Sequence, residues 1–179
     1  MYAIKAIIIL DIDGKRVLAK YYTDMFPTLK SQSTFESKLF NKTNRTPCGE
    51  ITLFEGTTCV YKSNVDLFFY IVGDISENEL ILISALNCLY DSIGQILKRS
   101  VEKKMLVDNL DLIFLAIDEL CDEGVLLECD ASSLASRVGS RPDDIPLSEQ
   151  TVVQRYYYPY STLIASIHSC SITQAQKKI

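Results

Sequence analysis

Residues 4–22 have the sequence IKAIIILDIDGKRVLAKYY, in which two segments rich in apolar residues flank a short polar turn. The first segment, Ile4–Asp11, carries apolar residues on both of its alternating sides, which is typical of a strand covered on both faces of a sheet. The DIDG turn at residues 11–14 ends in glycine, which adopts a positive φ without steric cost. Arg16–Tyr22 follows as a second strand, and a connection this short requires antiparallel pairing. These residues therefore predict the centre of an antiparallel sheet.

The rest of the chain alternates between strand and helix patterns. Hydrophobic periodicity and turn residues predict the order ββ-α-βββ-α-α-α, an α+β domain whose five-stranded antiparallel sheet is sandwiched by helices. Ser76 and Glu79 have capping-box spacing at the start of the long helix, and Gly124 is expected just after the end of the next one. The thin apolar side expected for the first helix comprises Leu29, Phe35, Leu39 and Phe40. The remaining predicted elements are a helix over Thr28–Asn41, strands over Ile51–Phe54, Cys59–Lys62 and Leu67–Val72, a long helix behind Ser76 that ends near Val101, a helix over Leu106–Cys121, an extended segment over Val125–Glu128 and a short helix over Ala131–Val138 capped by Asp130.

Composition excludes several classes of function. The 179 residues carry 18 Lys and Arg against 23 Asp and Glu, so a net charge of −5 disfavours general binding to nucleic-acid phosphates. One histidine and six cysteines without a CxxC pair predict no zinc finger, and the cysteines are expected to be reduced. The first residues lack the basic and apolar regions of a signal peptide, and no apolar stretch reaches the length of a membrane span. We expect a cytoplasmic protein.

The turn at residues 11–14 has a second interpretation. An apolar strand that ends in Asp-x-Asp-Gly resembles the first motif of haloacid-dehalogenase phosphatases, in which Asp11 would be the nucleophile and Asp13 the acid/base, with Mg²⁺ on the phosphate. That chemistry belongs to a parallel βαβ sheet, whereas a second strand follows at once here. The hairpin interpretation is therefore favoured, and the phosphatase is kept as a weaker alternative.

A basic cluster lies where two predicted helices meet. Its members are Lys98, Arg99, Lys103 and Lys104. Four cations of this kind can contact an anionic lipid, but they are also favoured at the carboxyl end of a helix. The solvated helix end is the preferred interpretation.

Seven segments carry a resemblance to a known family. They are AIKAIIILDIDGKRVLAKYY (3–22), FNKT (40–43), VYKSNVDLFFY (60–70), ENELILISALNCLY (77–90), VEKK (101–104), LAIDELCDEGVLLE (115–128) and PLSEQTV (146–152). These segments are similar to the zeta subunits of the coatomer and, more loosely, to the sigma subunits of clathrin adaptors, which share the longin-type fold. The likeness covers residues 2–154. It implies a longin-like domain over 1–140 and an extended segment over 141–154, followed by a divergent tail over 155–179 that is expected to be poorly ordered.

The resemblance implies a non-enzymatic function. A zeta-type subunit binds the α-solenoid trunk of the large gamma coat subunit, within an adaptor-like subcomplex that also contains the beta and delta subunits. The complex is recruited to membrane by an Arf-type GTPase through its large subunits, so this chain is expected on Golgi membranes and vesicles of Golgi-to-ER and intra-Golgi transport, as a peripheral component. No catalytic, cofactor-binding or metal-binding residue, and no nucleic-acid partner, is expected. The alternative is a longin-type regulator that binds a small GTPase directly.

Two sets of site residues follow. The first is a partner interface on the long helix and the neighbouring strand, comprising Phe68, Tyr70, Leu82, Leu86 and Tyr90. The second set follows from the resemblance, because a pocket in the sigma subunits takes the leucines of acidic dileucine signals. Tyr90 is bulkier than the residue expected there and Ser100 is polar, so dileucine binding is predicted to be absent or weak. The equivalents of the dileucine pocket are Val65, Leu67, Tyr90, Arg99, Ser100 and Met105.

Overall fold

The computed structural model describes residues 4–44, 50–98 and 101–139. The chain divides into two units, Met1–Arg137 and Val138–Ile179, and nearly all of the second lies outside the described residues. The predicted segments 141–154 and 155–179 lie outside them as well and stay predictions. The elements are strands β1 Ile4–Asp11 and β2 Arg16–Tyr21, helix α1 Leu29–Thr43, strands β3 Ile51–Phe54, β4 Thr57–Ser63 and β5 Leu67–Asp74, helices α2 Glu79–Leu97, α3 Lys103–Asp108 and α4 Leu110–Leu120, the short strands β6 Cys121–Asp122 and β7 Val125–Leu126, and helix α5 Ala131–Gly139.

The five longer strands form one sheet in the order β2-β1-β5-β4-β3. Every pairing in it is antiparallel, and Ile8 of β1 lies opposite Ala19 of β2 on one side and Tyr70 of β5 on the other. Apolar residues on both sides of β1 and β5 predicted that these strands are internal. The prediction of an α+β fold around a five-stranded antiparallel sheet is confirmed.

The turn between β1 and β2 requires glycine. Gly14 has a φ of +73°, and a Cβ placed on it would lie 2.6 Å from Cδ1 of Phe40. A side chain there would therefore be strained by the backbone and would also push against a core ring. The hairpin interpretation of residues 11–14 is confirmed.

Helix α1 covers one face of the sheet. Thr28 caps it, because its Oγ1 accepts from the Ser31 amide at 3.1 Å while Ser31 Oγ accepts from the Thr28 amide at 3.3 Å. Leu29 is 75% exposed, so its predicted place on the apolar side is wrong. The buried core on this face is rich in aromatic residues and comprises Ala6, Ile8, Leu10, Phe35, Leu39, Phe40, Cys59, Tyr61, Tyr70 and Val72.

Helix α2 begins and ends inside its predicted range. Ser76 does not cap it, since the amide and hydroxyl of Ser76 both donate to Asp74 Oδ1, at 3.1 and 2.9 Å. Asn78 caps it instead, accepting from the Leu80 amide at 2.9 Å. At the other end Lys98 adopts a φ of +52°, which stops the helix at Leu97 rather than near Val101.

Helix α2 is a core helix of the second face. By length and composition it is the one helix among the described residues that could cross a membrane. It packs against β4, β5 and α4, however, and the contact faces bury eight of its residues. The buried residues are Leu82, Ala85, Leu86, Cys88, Leu89, Ser92, Ile93 and Leu97.

The single helix predicted over Leu106–Cys121 is wrong, because it is broken at Asn109. That residue has φ −126° and ψ 33°, and it separates α3 from α4. Gly124 does not close a helix but lies in the tight turn of the β6–β7 hairpin with a φ of +86°. The cap of α5 is confirmed, since Asp130 Oδ2 accepts from the Ser133 amide at 2.7 Å.

Candidate partner-binding surfaces

The five predicted interface residues do not form one surface. Tyr70, Leu82 and Leu86 are interior residues of this chain, and the Tyr70 hydroxyl lies 2.8 Å from Thr43 Oγ1 under α1. Phe68 is half-buried against Phe40 of α1, whereas Tyr90 is half-buried against the neighbouring Phe69 on the α2 face. Successive residues of a strand point to opposite faces, so Phe68 and Tyr90 lie on opposite sides of the sheet. The proposed interface is therefore corrected, since no single partner surface contains all five residues.

The equivalents of the dileucine pocket differ widely in exposure, and their grouping into a pocket stays a prediction. Val65 is 91% exposed in the turn between β4 and β5, whereas Leu67 beside it is fully buried. Met105 is half-buried in α3, and Arg99 and Ser100 lie outside the described residues.

Tyr90 is held in place by two neighbours. Its ring stands edge-on to Phe69 with centroids 5.2 Å apart, and Lys62 Nζ lies 4.4 Å from the ring centre while donating to Asn87 Oδ1 at 3.1 Å. A cation over an aromatic face is attractive, so this arrangement fixes the bulky ring. It supports the prediction that dileucine binding is absent or weak, which stays a prediction.

A polar junction ties the start of α3 to two turns at one end of the sheet. The Lys103 amide donates to Asp66 Oδ2 at 2.8 Å, and Lys103 Nζ donates to Asp11 Oδ2, also at 2.8 Å. Asn64 Nδ2 donates to the Val101 carbonyl, and Asn64 Oδ1 accepts from the Leu67 amide at 2.9 Å. Lys103 of the basic cluster is therefore engaged within the chain rather than simply solvated.

The Asp11 carboxylate has a structural role here. Its Oδ1 accepts from the amides of Asp13 and Lys15, at 2.9 and 2.8 Å, and its Oδ2 is taken by Lys103. Desolvation raises the pKa of Asp11, but the hydrogen bonds from Lys103, Lys15 and Asp13 outweigh it and leave the pKa below its ordinary value. A nucleophile needs a carboxylate oxygen that can reach the substrate, and both of these are occupied.

The sheet adds a second argument against the phosphatase alternative. The motif belongs to parallel βαβ units, and β1 pairs antiparallel with both of its neighbours. Within residues 4–44, 50–98 and 101–139, no group of three metal-ligating side chains comes together. The phosphatase alternative therefore has no support in the geometry around Asp11 and Asp13.

A buried charge network that sequence analysis missed lies under α1. Glu36 accepts from Arg16 at both carboxylate oxygens, with Nε 2.9 Å from Oε2 and Nη2 2.7 Å from Oε1. The Tyr21 hydroxyl also donates to Oε1 at 2.8 Å, and burial together with this carboxylate raises the pKa of Tyr21 well above its ordinary value. Glu36 lies on the side of α1 that faces the sheet, so helical periodicity alone could have indicated it.

The described residues also contain a surface hollow of about 400 Å³ beside the start of α1. Phe26 and Phe35 contribute its apolar walls. Several polar groups around it pair with one another, with Lys38 Nζ 2.9 Å from Glu55 Oε1 and the Ser31 amide donating to Thr28 Oγ1. Its polar lining therefore gives no indication of a ligand.

Large apolar side chains are exposed elsewhere, at β3 and the start of α2. Ile51 is 45% exposed, Leu53 58% and Leu80 72%. The hydrophobic pattern predicts a strand over Ile51–Phe54 but does not show which of its sides is covered. Its exposure could have been expected, because the outermost strand of a series of hairpins has only one neighbour in the sheet.

Comparison with known proteins identifies the class. Residues 3–144 match the family described as clathrin adaptor complex small chain, and the chain belongs to that family. Its members are structural coat subunits. The matched range includes all of the described residues.

The chain is similar to coatomer zeta subunits, as the sequence resemblance predicted. The chain is 53% identical over 154 residues to coatomer subunit zeta-1 of Homo sapiens, which covers 86% of each protein. It is 45% identical over 156 residues to coatomer subunit zeta-1 of Arabidopsis thaliana, covering 84% of this chain and 88% of that protein. The chain is thus a small subunit of the coatomer and adaptor type.

A solved structure shows the same fold. It is described as a "Homology model of the full-length AP-3 complex in a stretched open conformation" and superposes on this chain with a TM-score of 0.57. The match covers 76% of this chain and 91% of the other at 18% identity, so it concerns the fold alone. It confirms the adaptor small-subunit architecture.

Proposed function

We propose that this chain is the small, non-enzymatic subunit of a coatomer-type vesicle coat that binds the trunk of the large gamma subunit directly. It shares a subcomplex with the beta and delta subunits and meets an Arf-type GTPase only through the large subunits. In this role it is cytoplasmic, peripheral on Golgi membranes and coat vesicles, and supports Golgi-to-ER retrograde and intra-Golgi transport.

The observation that carries the proposal is the identity to coatomer zeta subunits. Identity of 53% holds over 154 residues, or 86% of both chains, and so concerns most of the domain. Exposed apolar side chains such as Leu53 and Leu80 are consistent with a subunit that buries them against a partner.

Co-expression with a gamma-subunit trunk tests the proposal. We expect a one-to-one complex that survives size-exclusion chromatography, because permanent coat interfaces bury more than about 2,000 Å². A chain truncated after Gln154 serves as the internal comparison, since the likeness to the coatomer family ends there. If the truncated chain binds the trunk and the full chain does not, residues 155–179 are incompatible with assembly of the coat.

The same experiment distinguishes the alternative. Failure of both forms to bind the trunk would contradict the proposal. Recovery of a small GTPase, dependent on bound nucleotide and without a large coat subunit, would instead support a longin-type regulator. Hydrolysis of p-nitrophenyl phosphate with Mg²⁺, lost in Asp11→Asn, would contradict the non-enzymatic part of the proposal.

A further inference from the structure

Strand β3 turns two apolar side chains toward the face that carries α2. Ile51 and Leu53 lie opposite Val60 and Thr58 of β4, which lie opposite Ile71 and Gly73 of β5. Directly opposed residues point to the same face, and Phe69, two residues before Ile71, contacts Tyr90 of α2. Ile51 and Leu53 therefore lie on the α2 face. Phe54, the next residue of β3, points to the opposite face, where its ring contacts Phe35 of α1.

The helices on this face leave β3 uncovered. Helix α4 lies over the β1–β2 side, where Asp118 pairs with Lys20, and α2 lies over β5 and β4, where Asn87 and Tyr90 contact Lys62. Strands are spaced about 4.8 Å apart and packed helices about 10 Å apart, so two helices cover about four strands. The fifth strand, β3, remains open, which explains why Ile51 and Leu53 are 45% and 58% exposed.

The edge of α2 that faces β3 is apolar as well. Asn87 and Tyr90 contact β4, so residues one and two turns earlier on the same side are Ile83 and Leu80. Leu80 is 72% exposed and Ile83 is half-buried. Together the side chains of Ile51, Leu53, Leu80 and Ile83 define a surface that we call the β3–α2 groove.

A buried polar atom without a hydrogen-bond partner lies next to this groove. Thr58 is the residue of β4 directly opposite Leu53; it is fully buried, and its Oγ1 has no partner among the described residues. Such an atom is costly in a closed core and rare in native structures. The groove therefore adjoins a part of the core whose polar groups are not all satisfied.

The charges around the groove are acidic. Glu50 precedes β3, Glu77 lies in the turn before α2, and Glu79 is the first residue of α2. None of these three carboxylates has an ion-pair partner within the described part of the chain. The nearby cations are already engaged, since Lys62 contacts Asn87 and Tyr90 and Lys42 donates to the Leu53 carbonyl. A partner that carries Lys or Arg beside its apolar residues would complement this rim.

The open edge of β3 is poorly suited to a further strand. Lys42 Nζ donates to the Leu53 carbonyl at 2.6 Å, on the side of β3 that has no neighbouring strand. A strand that paired there would have to displace this charged donor. A helix laid on the α2 face needs none of these edge groups.

We propose that the β3–α2 groove binds an amphipathic helix of a large coat subunit, with basic residues on either side of its apolar stripe. The helix occupies the place beside α2 that a third helix of this face would take. Its apolar stripe covers Ile51, Leu53, Leu80 and Ile83, and its basic residues meet Glu50 and Glu79. This inference rests on the proposed function, because the large subunit is the partner named there.

The test compares how substitutions inside and outside the groove change the affinity of the chain for the gamma-subunit trunk. The groove variant is Leu53→Lys/Leu80→Lys, which places two cations where an apolar, basic helix would lie. The matched controls are Leu127→Lys and Leu29→Lys, which alter side chains that are 57% and 75% exposed on other parts of the domain. Thermal melting followed by circular dichroism verifies that each variant folds like the unaltered chain.

We expect the groove variant to weaken trunk binding by about tenfold or more and the controls by less than about twofold, as for the centre and the outside of an interface. Amide exchange on the unaltered complex should show protection in β3 and the first turns of α2. Equal trunk binding by all variants would overturn the groove while leaving the proposed function intact. Failure of the unaltered chain to bind the trunk would overturn both, and a self-dimer that the groove variant abolishes would assign the groove to a second copy instead.

Discussion

Each face of the sheet buries one carboxylate, and the two are satisfied in different ways. Glu36 on the α1 face is 3% exposed and depends on side chains from β2, namely Arg16 and Tyr21. Asp11 on the opposite face is 2% exposed, and two of its three donors are backbone amides of its own turn. The third donor is Lys103, whose side chain is about half exposed.

The difference separates local from tertiary stabilisation. The Asp11 turn can form as soon as residues 11–15 fold, because its amides are fixed by the hairpin itself. The Glu36 site forms only when α1 has docked on β2. In any state in which α1 is not docked, the Glu36 carboxylate lacks its partners Arg16 and Tyr21. The α1 face should therefore be the more sensitive of the two to loss of a partner.

The largest expected effect comes from removing the partner of Arg16. Glu36→Ala should lower the free energy of unfolding by about 3–5 kcal/mol, since it leaves a guanidinium confined against Tyr21 without its carboxylate. Urea denaturation followed by circular dichroism measures the change. Asp118→Ala serves as the control, because it removes an exposed pair with Lys20 and should cost less than about 1 kcal/mol.

A double substitution sharpens this result. Arg16→Met/Glu36→Leu replaces the pair by apolar groups of similar size and should recover most of the stability lost in Glu36→Ala. A double variant as unstable as Glu36→Ala would show that shape, rather than charge, governs this site.

Asp11→Asn should have a smaller effect that depends on pH. The amide can still accept from the turn, but its nitrogen faces Lys103 as a second donor, so we expect a loss of about 2 kcal/mol at pH 7. The folded-state pKa of Asp11 lies below the ordinary value of 3.8, so its contribution is complete above that value and is lost as the pH falls through the folded-state pKa. The difference between wild type and variant should therefore shrink in acid, and a constant difference from pH 7 to pH 2 would contradict the assignment.

Thr58→Val extends the comparison to a polar group that has no partner at all. Valine has the same shape and removes the buried, unpaired hydroxyl, so the free energy of unfolding of the isolated chain should rise by about 1 kcal/mol. Thr57→Val is the matched control next to it, because the Thr57 hydroxyl donates to the Phe54 carbonyl at 2.6 Å and its loss should destabilise. Guanidinium unfolding of both variants measures whether the free energy of unfolding rises in Thr58→Val and falls in Thr57→Val.

The smallest expected effect concerns a purely local feature. Lys98 ends α2 with a φ of +52°, a conformation that glycine adopts without strain. Lys98→Gly should raise the free energy of unfolding by about 0.5 kcal/mol, and Lys98→Ala should not. Thermal unfolding of the unaltered chain, Lys98→Gly and Lys98→Ala under the same conditions ranks their stabilities.

The sequence predicts well those parts of the fold that are determined by residues adjacent to one another along the chain. Ile4–Asp11 and Ile51–Phe54 match the observed strands, and the DIDG turn forms the hairpin it predicts. Errors arise where two local solutions compete. Ser76 and Asn78 both suit a helix cap, and Asp74 decides between them by engaging Ser76.

The candidate site was harder to predict, because exposure depends on which elements cover each other. Tyr70, Leu82 and Leu86 are apolar side chains in amphipathic elements, and the sequence cannot distinguish those that pack inside the chain from those that face a partner. Leu53 and Leu80 are equally apolar but are exposed because α2 and α4 leave β3 uncovered. The partners of Glu36, Arg16 and Tyr21 of β2, likewise depend on tertiary packing, although helical periodicity places Glu36 itself on the buried side of α1.

The bond from Lys42 to the Leu53 carbonyl has a consequence for the newly made chain before it meets other subunits. The edge strand β3, with two exposed apolar side chains, could pair through its backbone with the same strand of another copy. The Lys42 ammonium group lies at that edge, so a second strand would have to displace a hydrated charge before pairing. The bond from Lys42 therefore disfavours association of two copies through their β3 edges.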